Sequence, residues 1–313
     1  MSQQHSLPQH AVQKVSVSVP AVCTHLGPGL DVLGLAINLR STVEMALRDD
    51  DQFVIQVRGE GADRLPENLY NPAMMAAITL FQSLERAPAG LSVACACRIP
   101  LDVGLSARTA LTVGGLVAAN NLLGSPLHVD ALIALAGQLT GQPEAIVAAM
   151  RGGLSVCSAA LGDMLCRSLE IEPLHLVLAV PDLPHYAQRG RDDLPQVVPL
   201  DDAVHNIGRA LLLVEALHEG DFVLLGRALS DRLHEPYRRD EIPGYEAAAD
   251  AAHRAGAAGV ALCGAGPALA AFAARDHAAI EQALADAFAD AGVSARTQIV
   301  AVDTQGVVIN VVE

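Results

Sequence analysis

The chain has 313 residues, enough for two compact domains that each bury a core without disulfides or metals. Apolar residues make up 51% of it, whereas aromatic residues supply 3% and tryptophan is absent, so the core must be aliphatic. The formal net charge of -15 argues against nucleic acid or an anionic membrane as a partner, because both require clustered lysine and arginine.

The first hundred residues are dominated by predicted strands. Alternation of apolar and polar residues predicts a half-buried strand over residues 14–19, which Pro20 is expected to end. A glycine-rich turn follows at residues 26–29. Further strands are predicted over residues 53–57 and 91–97, each bounded by charge or proline.

The pattern becomes helical after the last of these strands. Residues 108–123 are apolar nearly all round, which predicts a deeply buried helix that the Gly-Ser-Pro sequence at 124–126 stops. Two more helices are predicted over residues 129–139 and 143–150, the second beginning at a proline. A Gly-Gly pair at 152–153 then separates them from another strand.

The second half interleaves helices with strands, which indicates an α+β sandwich. The predicted division lies near residue 166, giving domains of residues 11–165 and 166–313. Helices are predicted over 201–217, 221–233, 245–255 and 278–291, and strands over 174–180, 259–264, 269–273, 298–302 and 307–311.

The six cysteines form no C-x-x-C pair and none lies near histidine at metal-ligand spacing, so most are expected to be small buried hydrophobes. The chain shows no apolar run that could span a bilayer and no charged-then-apolar leader, which predicts a cytoplasmic protein with no membrane partner. Residues 1–10 are expected to be a polar, disordered lead-in. The cysteines are Cys23, Cys95, Cys97, Cys157, Cys166 and Cys263.

Four sequence stretches resemble the GHMP small-molecule kinases. Residues 19–36 (VPAVCTHLGPGLDVLGLA) are similar to the family's strand, proline-alanine turn and N-L-G-P-G-F-D pattern. Residues 100–110 (PLDVGLSARTA) stand where the family has P-x-x-x-G-L-G-S-S-A-A, and residues 259–267 (GVALCGAGP) resemble its S-G-A-G-P turn. Residues 231–238 (DRLHEPYR), with I-P-G soon after, resemble the D-R-L-H-Q-P-Y-R stretch of the homoserine kinases within that family.

This resemblance implies both a fold and an activity. The fold would be an α+β arrangement with an N-terminal domain of the ribosomal S5 domain 2 type and a ferredoxin-like C-terminal domain, often as a homodimer. The activity would be ATP-dependent phosphorylation of the hydroxyl group of L-homoserine, a step of threonine biosynthesis. ATP and Mg²⁺ are the implied cofactors of an active enzyme.

The implied substrate carries a carboxylate, an ammonium group and a reacting hydroxyl. Arg238 matches a carboxylate-binding arginine of the family, and an arginine fork suits a carboxylate because it donates two parallel hydrogen bonds. Arg191 matches a second one if residues 187–191 (AQRGR) replace the family's T-K-E-A-R. Asp31 matches the acidic residue near the amino group or hydroxyl. A solvated surface role is the alternative for both arginines.

Two further residues match the substrate side of the family. Asn206 occupies a family position, although a helix-buried amide with structural hydrogen bonds explains it equally well. His25 stands where homoserine kinases carry an asparagine that contacts substrate. Histidine can still donate a hydrogen bond, but its larger ring changes the shape of the site.

The predicted phosphate loop departs from the family pattern. Ser106 replaces the second glycine and adds a Cβ where a close approach or a positive φ is needed, and Asp102 brings a negative charge. Ala107 removes one hydroxyl, and Arg108 replaces another with a bulky cation that could either bind phosphate or fill its place. Thr109 carries a hydroxyl one position out of register. The residues expected around phosphate are Gly104, Leu105, Ser106, Ala107, Arg108, Thr109, Gly264 and Gly266.

The family's E-G-H-P-D-N pattern is also altered, at residues 140–145 (TGQPEA). Thr140 stands for the magnesium-binding glutamate, and a hydroxyl is a weak ligand for a hard dication. Ala145 replaces the asparagine near the transferred phosphate. Glu144 keeps a carboxylate, so Glu144 and Arg108 are the candidate catalytic residues.

Three functions stay open at this stage. The first is the homoserine kinase activity itself. The second is a catalytically impaired relative that binds an amino acid or a partner protein, suggested by the joint changes at Ala107, Thr140 and Ala145. The third is a kinase with another phosphate donor or substrate, suggested by Arg108 and His25.

Overall fold

The computed structural model describes residues 14–160, 163–184, 186 and 191–312, which form two β-sheets and their covering helices. The predicted lead-in at residues 1–10 lies outside this range. The elements of the first half are β1 (Lys14–His25), β2 (Gly29–Arg48), β3 (Phe53–Gly59), α1 (Pro72–Ser83), β4 (Gly90–Cys97), α2 (Ala107–Leu122), α3 (Val129–Thr140), α4 (Pro143–Arg151), β5 (Leu154–Ala160) and β6 (Asp163–Leu169). Those of the second half are β7 (His175–Pro181), α5 (Leu200–Glu219), α6 (Phe222–Ala228), α7 (Tyr245–Arg254), β8 (Gly259–Leu262), β9 (Leu269–Phe272), α8 (His277–Asp290), β10 (Ala295–Ala301) and β11 (Val308–Val312).

The first sheet has seven strands in the order β11-β1-β2-β4-β3, and β5 and β6 extend it from β2. Only the β3–β4 pair is parallel among these pairings. The prediction that Pro20 ends β1 is wrong, because the strand continues to His25. A register shift lies between Pro20 and Ala21, and a bulge tolerates a residue that has no N–H to donate.

The second sheet has four antiparallel strands in the order β10-β7-β9-β8. Numbered within this sheet, the order is 4-1-3-2, with helices after the first strand and before the last. This is the strand order of a ferredoxin-like βαββαβ unit. The α+β class expected from the sequence is therefore confirmed.

Strand pairing cuts across the predicted division at residues 165/166. That division falls inside β6, where Cys157 of β5 pairs with Cys166 of β6 in the first sheet. The last strand, β11, also returns to the first sheet and pairs with β1. Because hydrogen-bonded strands cannot be separated without losing their ladder, β6 and β11 belong with the N-terminal half of the chain.

Other elements also differ from the sequence prediction, among them β6, which was not predicted. Helix α1 was not predicted; it begins after Asn71, whose side chain accepts a hydrogen bond from the N–H of Ala73, and Pro72 fills its first turn. Strand β2 is 20 residues long, whereas no strand was predicted between the turn at residues 26–29 and the strand at 53–57. The helix predicted over 221–233 ends at Ala228, because the chain then turns towards the site.

The two faces of the second sheet bury different cores. Leu176 and Leu178 of β7 belong to the large core that also contains the buried residues of the first sheet. Val177 and Ala179 belong to a second core, with residues of α7 and α8. This split follows from the period-two alternation of side chains along a strand. Helix α2 is buried along most of its length, as its all-round apolar sequence predicts.

Four cysteines (Cys23, Cys95, Cys97 and Cys263) are free and buried, in agreement with the expected hydrophobic role. Cys157 and Cys166 form a disulfide across the β5–β6 pair, which their nine-residue spacing did not reveal. Within the described ranges, none of the helices combines the length and apolar character required to cross a bilayer.

Two glycines in helices provide a matched test of packing. An alanine Cβ at Gly115 of α2 would lie 2.2 Å from the carbonyl oxygen of Ala73, whereas a Cβ at Gly208 of α5 meets nothing within 4 Å. We expect Gly115→Ala to lower the free energy of unfolding by about 1–3 kcal/mol through overpacking. Gly208→Ala should raise it by about 0.5–1 kcal/mol, because alanine loses less entropy in a helix. Urea denaturation of both variants measures this, and equal effects would contradict the close approach of α1 and α2.

Candidate active site

The motif segments are joined to one another by backbone hydrogen bonds. The N–H of Val22 in β1 donates to the carbonyl of Leu105 at 3.3 Å. The N–H of Gly264 donates to the carbonyl of Thr24 at 2.8 Å. The loop before α2 and the turn after β8 are therefore both attached to the end of β1.

Gly104 allows the loop and the turn to touch. Its φ is +87°, and a Cβ there would lie 1.8 Å from the carbonyl oxygen of Cys263, so no other residue fits this contact. Ser106 also has a positive φ, +56°, as the glycine that it replaces would favour. Its hydroxyl donates to the carbonyl of Val22 at 3.1 Å and so holds the loop to β1.

A cavity of about 460 Å³ opens where these segments meet. Most residues predicted from the sequence line it, namely His25, Asp31, Gly104, Ser106, Ala107, Arg108, Thr109, Glu144, Arg191, Arg238 and Gly264. The remaining lining residues had no predicted binding role: Thr24, Leu30, Asp102, Gly141, Gln142, Pro143, Ala159 and Ala265. The residues predicted to bind the substrate and those predicted to bind phosphate therefore line the same cavity.

Four predicted residues do not line the cavity. Leu105 is buried in the core beneath the loop, and Gly266 shapes the turn with a φ of +84°. Thr140 ends α3, and its hydroxyl donates to the carbonyl of Ala136 at 3.2 Å. Asn206 lies in α5 behind the cavity.

Asn206 makes structural hydrogen bonds. Its Nδ2 donates to Oδ1 of Asp231 at 2.6 Å, and its Oδ1 accepts from the N–H of Arg232 at 3.0 Å. Asp231 in turn accepts from the backbone N–H groups of Leu233, His234 and Glu235, and so caps the short turn that follows. Of the two roles open for Asn206, the contacts favour the structural one.

Arg238 lies at the end of that turn and is only 2% exposed. Its Nη1 donates to Nδ1 of His234 at 3.1 Å and to the carbonyl of Gly264 at 3.3 Å. His234 donates from Nε2 to the carbonyl of Gly27 at 2.7 Å, which fixes its tautomer. Burial lowers the pKa of His234, so the ring accepts the Arg238 hydrogen bond in its neutral form.

Asp31 and His25 form a second polar group across the turn between β1 and β2, since His25 ends β1 and Asp31 lies near the beginning of β2. The N–H of Asp31 donates to Nδ1 of His25 at 3.0 Å, so the proton of the neutral ring is on Nε2. Burial, together with the charges of His234 and Arg238, holds the pKa of His25 well below its usual value. Both His25 (φ +71°) and Asp31 (φ +56°) occupy the left-handed region, which is uncommon for these residues and recurs at functional sites.

Arg191 contacts this turn from the second half of the chain. Its Nη1 donates to Oδ2 of Asp31 at 3.0 Å, and its side chain is largely exposed. The preceding residues of the predicted AQRGR motif, 187–190, lie outside the described ranges. The cation and the anion predicted for the substrate are thus paired with each other.

Glu144 lies in the first turn of α4 and is 1% exposed. Burial raises its pKa to about 7, and the charge of Asp31 adds to the rise. The backbone carbonyl of Glu144 accepts a hydrogen bond from Ser155 at 2.6 Å, which ties α4 to β5. A carboxyl group that titrates near neutrality can accept or donate a proton at physiological pH.

Arg108 lies in the first turn of α2 and forms an ion pair with Asp102. Its Nε and Nη2 atoms donate to the two carboxylate oxygens at 3.1 and 3.4 Å. Arg64 contacts the same carboxylate from the other side at 3.5 Å. Next in the chain, Thr109 donates its hydroxyl proton to the side-chain oxygen of Gln142 at 2.9 Å.

Three altered motif positions offer no free carboxylate to a magnesium ion. The hydroxyl of Thr140 is bonded within α3, Ala107 has no ligand atom, and Asp102 is paired with two arginines. In a nucleotide site a magnesium ion is held by one or two carboxylates together with phosphate oxygens and waters. The described part of the chain contains no group of three His, Cys, Asp or Glu side chains that could hold a metal.

Sequence reasoning missed the residues that support the cavity. His234 positions Arg238, Asp231 caps their turn, and Arg64 shares Asp102 with Arg108. The DRLHEPYR motif contained the first two, with His234 one helical turn before Arg238, but the spacing alone did not reveal a hydrogen bond. Arg64 lies 38 residues before Asp102 and carried no local signal.

The fold and the site define a small-molecule kinase. The models for the GHMP kinases N terminal domain and for the GHMP kinases C terminal region match residues 71–162 and 213–290. The chain is 36% identical over 297 residues to a homoserine kinase of Trichormus variabilis, covering 94% of this chain and 98% of that protein. It is 38% identical over 295 residues to a homoserine kinase of Moorella thermoacetica, covering 94% and 99%.

Solved structures agree with these matches. The homoserine kinase of Cytophaga hutchinsonii superposes with a TM-score of 0.86 at 26% identity, covering 95% of this chain and 98% of that one. The mevalonate kinase of L. major superposes with a TM-score of 0.68 at 14% identity, a likeness of fold alone. The chain belongs to the homoserine kinase group of the GHMP kinase family.

Glu235, in the wall behind Arg238, predicts a pH dependence of stability. Burial raises its pKa from the usual 4.5 to about 8, against the opposing hydrogen bond from the N–H of Leu262. The folded protein therefore binds a proton that the unfolded chain has released between about pH 5 and 8, and stability falls with rising pH there. Relative to Glu235→Gln, the wild type should lose up to about 1.4 kcal/mol per pH unit across that window.

Urea denaturation from pH 5 to 9 measures this difference. Glu215→Gln, at an exposed position of α5, provides the control and should follow the wild type. Parallel curves for wild type and Glu235→Gln would contradict the burial of a neutral carboxyl group.

Proposed function

We propose that this protein transfers the γ-phosphoryl group of ATP to the hydroxyl group of L-homoserine. One observation carries the proposal: a single cavity contains the buried guanidinium of Arg238, the carboxylates of Asp31 and Glu144, and the first turn of α2. These are the groups that an amino alcohol and a phosphate need side by side. Membership of the homoserine kinase group supports the same substrate.

The carboxylate of the amino acid fits Arg238. A guanidinium that is 2% exposed and held by His234 and Gly264 is pre-organised for a planar anion. The ion pair between Arg191 and Asp31 is complementary to a zwitterion, because Arg191 can pair with the carboxylate of an amino acid and Asp31 with its ammonium group. Substrate binding would break this pair. Asp31 would then bind the ammonium group of the substrate, and Arg191 would join Arg238 beside the substrate carboxylate, so that both residues keep a charged partner.

The reacting hydroxyl is assigned to Glu144. In its ionised form this carboxylate accepts the proton of the hydroxyl while the substrate oxygen bonds to the γ-phosphorus. The bond between that phosphorus and the bridging oxygen breaks, and ADP leaves with the electron pair. The buried surroundings that raise the pKa of Glu144 to about 7 make it a stronger base than an exposed carboxylate.

The phosphates of ATP are assigned to the beginning of α2. The first turn of a helix presents free N–H groups and a positive dipole end, which favour phosphate. Ser106 makes no side-chain cap there, so the N–H groups at 107–109 are not taken by it. The lining residues Gly104, Gly264 and Ala265 bring backbone close to the same place.

His25 differs from the asparagine of the family and is assigned a double role. It lines the cavity, and its Nδ1 holds the N–H of Asp31, so the ring both shapes the pocket and orients the carboxylate. The homodimer and the cytoplasmic location expected from the sequence stay predictions.

A second candidate function is binding of the amino acid without phosphoryl transfer. It is favoured by Ala107, which lacks the hydroxyl of the family's loop, by Thr140 at the position of the magnesium-binding glutamate, and by the Arg108–Asp102 pair. Calorimetry separates the two candidates. Homoserine binding without any ATP binding would support the second function and contradict the first.

Arg238 provides the substrate test. We expect Arg238→Met to raise KM for L-homoserine at least ten-fold, because the carboxylate loses its charged partner. In a coupled assay of ADP release, Arg232→Met is the matched control, since Arg232 is in the same motif but pairs with Asp202 on the surface. Thermal denaturation of both variants checks their folding. An unchanged KM in folded Arg238→Met would contradict the assignment.

Glu144 provides the pH test. Because the ionised carboxylate is the base, kcat/KM should rise with pH to a plateau, with a midpoint near the pKa of about 7. Glu144→Gln should lower kcat by about 10²- to 10⁴-fold and remove this midpoint. The control Glu215→Gln should keep the wild-type profile. A Glu144→Gln profile that still rises through pH 7 at near wild-type rates would refute the role of Glu144 as base.

A further inference from the structure

Every kinase that binds a nucleoside triphosphate must offset the charge of the phosphates. The cavity makes this harder, because Asp31, Asp102 and Glu144 all line it and the chain has a net charge of -15. Thr140, which stands where the family pattern has a magnesium-binding glutamate, offers no carboxylate to a dication. A cationic side chain beside the phosphates can supply the offsetting charge instead.

Arg108 supplies a permanent positive charge beside the proposed phosphate position. It follows Ala107 directly at the beginning of α2, and about half of its side chain is exposed to the cavity and solvent. Nε and Nη2 contact Asp102, whereas Nη1 makes no hydrogen bond to the described part of the chain. A guanidinium suits phosphate because its planar fork matches two phosphate oxygens.

Asp102 is the carboxylate that pairs with Arg108 in the absence of nucleotide. Its φ is +60°, which holds the carboxylate in the loop between β4 and α2. Arg64 contacts Asp102 as well, at 3.5 Å, so the carboxylate keeps a cationic partner when Arg108 leaves it. An exchange of Asp102 for phosphate on Arg108 thus leaves Asp102 paired with Arg64.

We propose that this chain binds its nucleoside triphosphate as the metal-free anion, with Arg108 in place of a divalent cation and with Asp102 as the carboxylate that phosphate displaces. This inference rests on the proposed function, since it concerns the same nucleotide site. It separates this chain from a kinase that requires the magnesium complex for binding.

Titration calorimetry with ATP tests the inference, once in EDTA and once with excess Mg²⁺. We expect the two dissociation constants of the wild type to agree within three-fold. Arg108→Ala should weaken ATP binding in EDTA at least ten-fold, because the offsetting charge is lost. Asp102→Asn should tighten it at least three-fold, and asparagine tolerates the positive φ of this position.

Two exposed residues outside the cavity lining provide controls with the same change of net charge. Arg254→Ala in α7 and Asp290→Asn in α8 should each change ATP affinity by less than three-fold. More than three-fold tighter binding of wild type with Mg²⁺ would overturn the inference. So would less than a ten-fold loss in Arg108→Ala, or no tightening in Asp102→Asn.

Assays of homoserine phosphorylation on the same samples separate the two proposals. Metal-free ATP binding through Arg108 without phosphorylation would uphold the inference and refute the proposed function. Magnesium-dependent binding with phosphorylation would do the reverse. Absence of ATP binding in both conditions would refute both.

Discussion

The site depends on one backbone contact, the approach of Gly104 to the turn after β8. A Cβ at Gly104 would lie 1.8 Å from the carbonyl oxygen of Cys263, so the phosphate loop and the turn meet only because this residue has no side chain. Hydrogen bonds to Val22 and Thr24 attach the same two segments to β1. Strands from both sheets thereby fix the walls of one cavity, and these backbone contacts determine where its side chains lie.

Within the cavity the charged groups are compensated in pairs. Arg191 pairs with Asp31, and Arg108 pairs with Asp102, while Arg238 donates hydrogen bonds to His234 and Gly264. Charges in a partly buried site are costly unless they are paired, which explains why the cavity closes its own ion pairs. A zwitterionic substrate carries the charges that can replace both partners of the Arg191–Asp31 pair, and a phosphate carries the charge that can replace Asp102 on Arg108. The arrangement is thus suited to ligands with these charges and unsuited to apolar ones.

Local patterns in the sequence predicted most helices and strands, whereas the cavity residues were predicted from the resemblance to the GHMP kinases. The buried helix α2 and the strands β4, β7 and β9 follow from apolar periodicity, and the glycine motifs mark the loop and the turn. Continuation of β1 past Pro20 and the 20-residue β2 were missed, since pairing along the sheet overrides local signals. The contacts of Arg64 with Asp102 and of Arg238 with Gly264 were missed for a related reason, because they join segments that are distant along the chain.

A crystal structure with a non-hydrolysable ATP analogue and L-homoserine is the most direct test that one cavity holds both reactants. It should show the γ-phosphate at the beginning of α2 and the homoserine carboxylate on Arg238. The homoserine hydroxyl should lie between the phosphate and Glu144, within hydrogen-bond reach of the carboxylate. An analogue bound away from α2, or a homoserine hydroxyl outside the reach of both the phosphate and Glu144, would contradict this account.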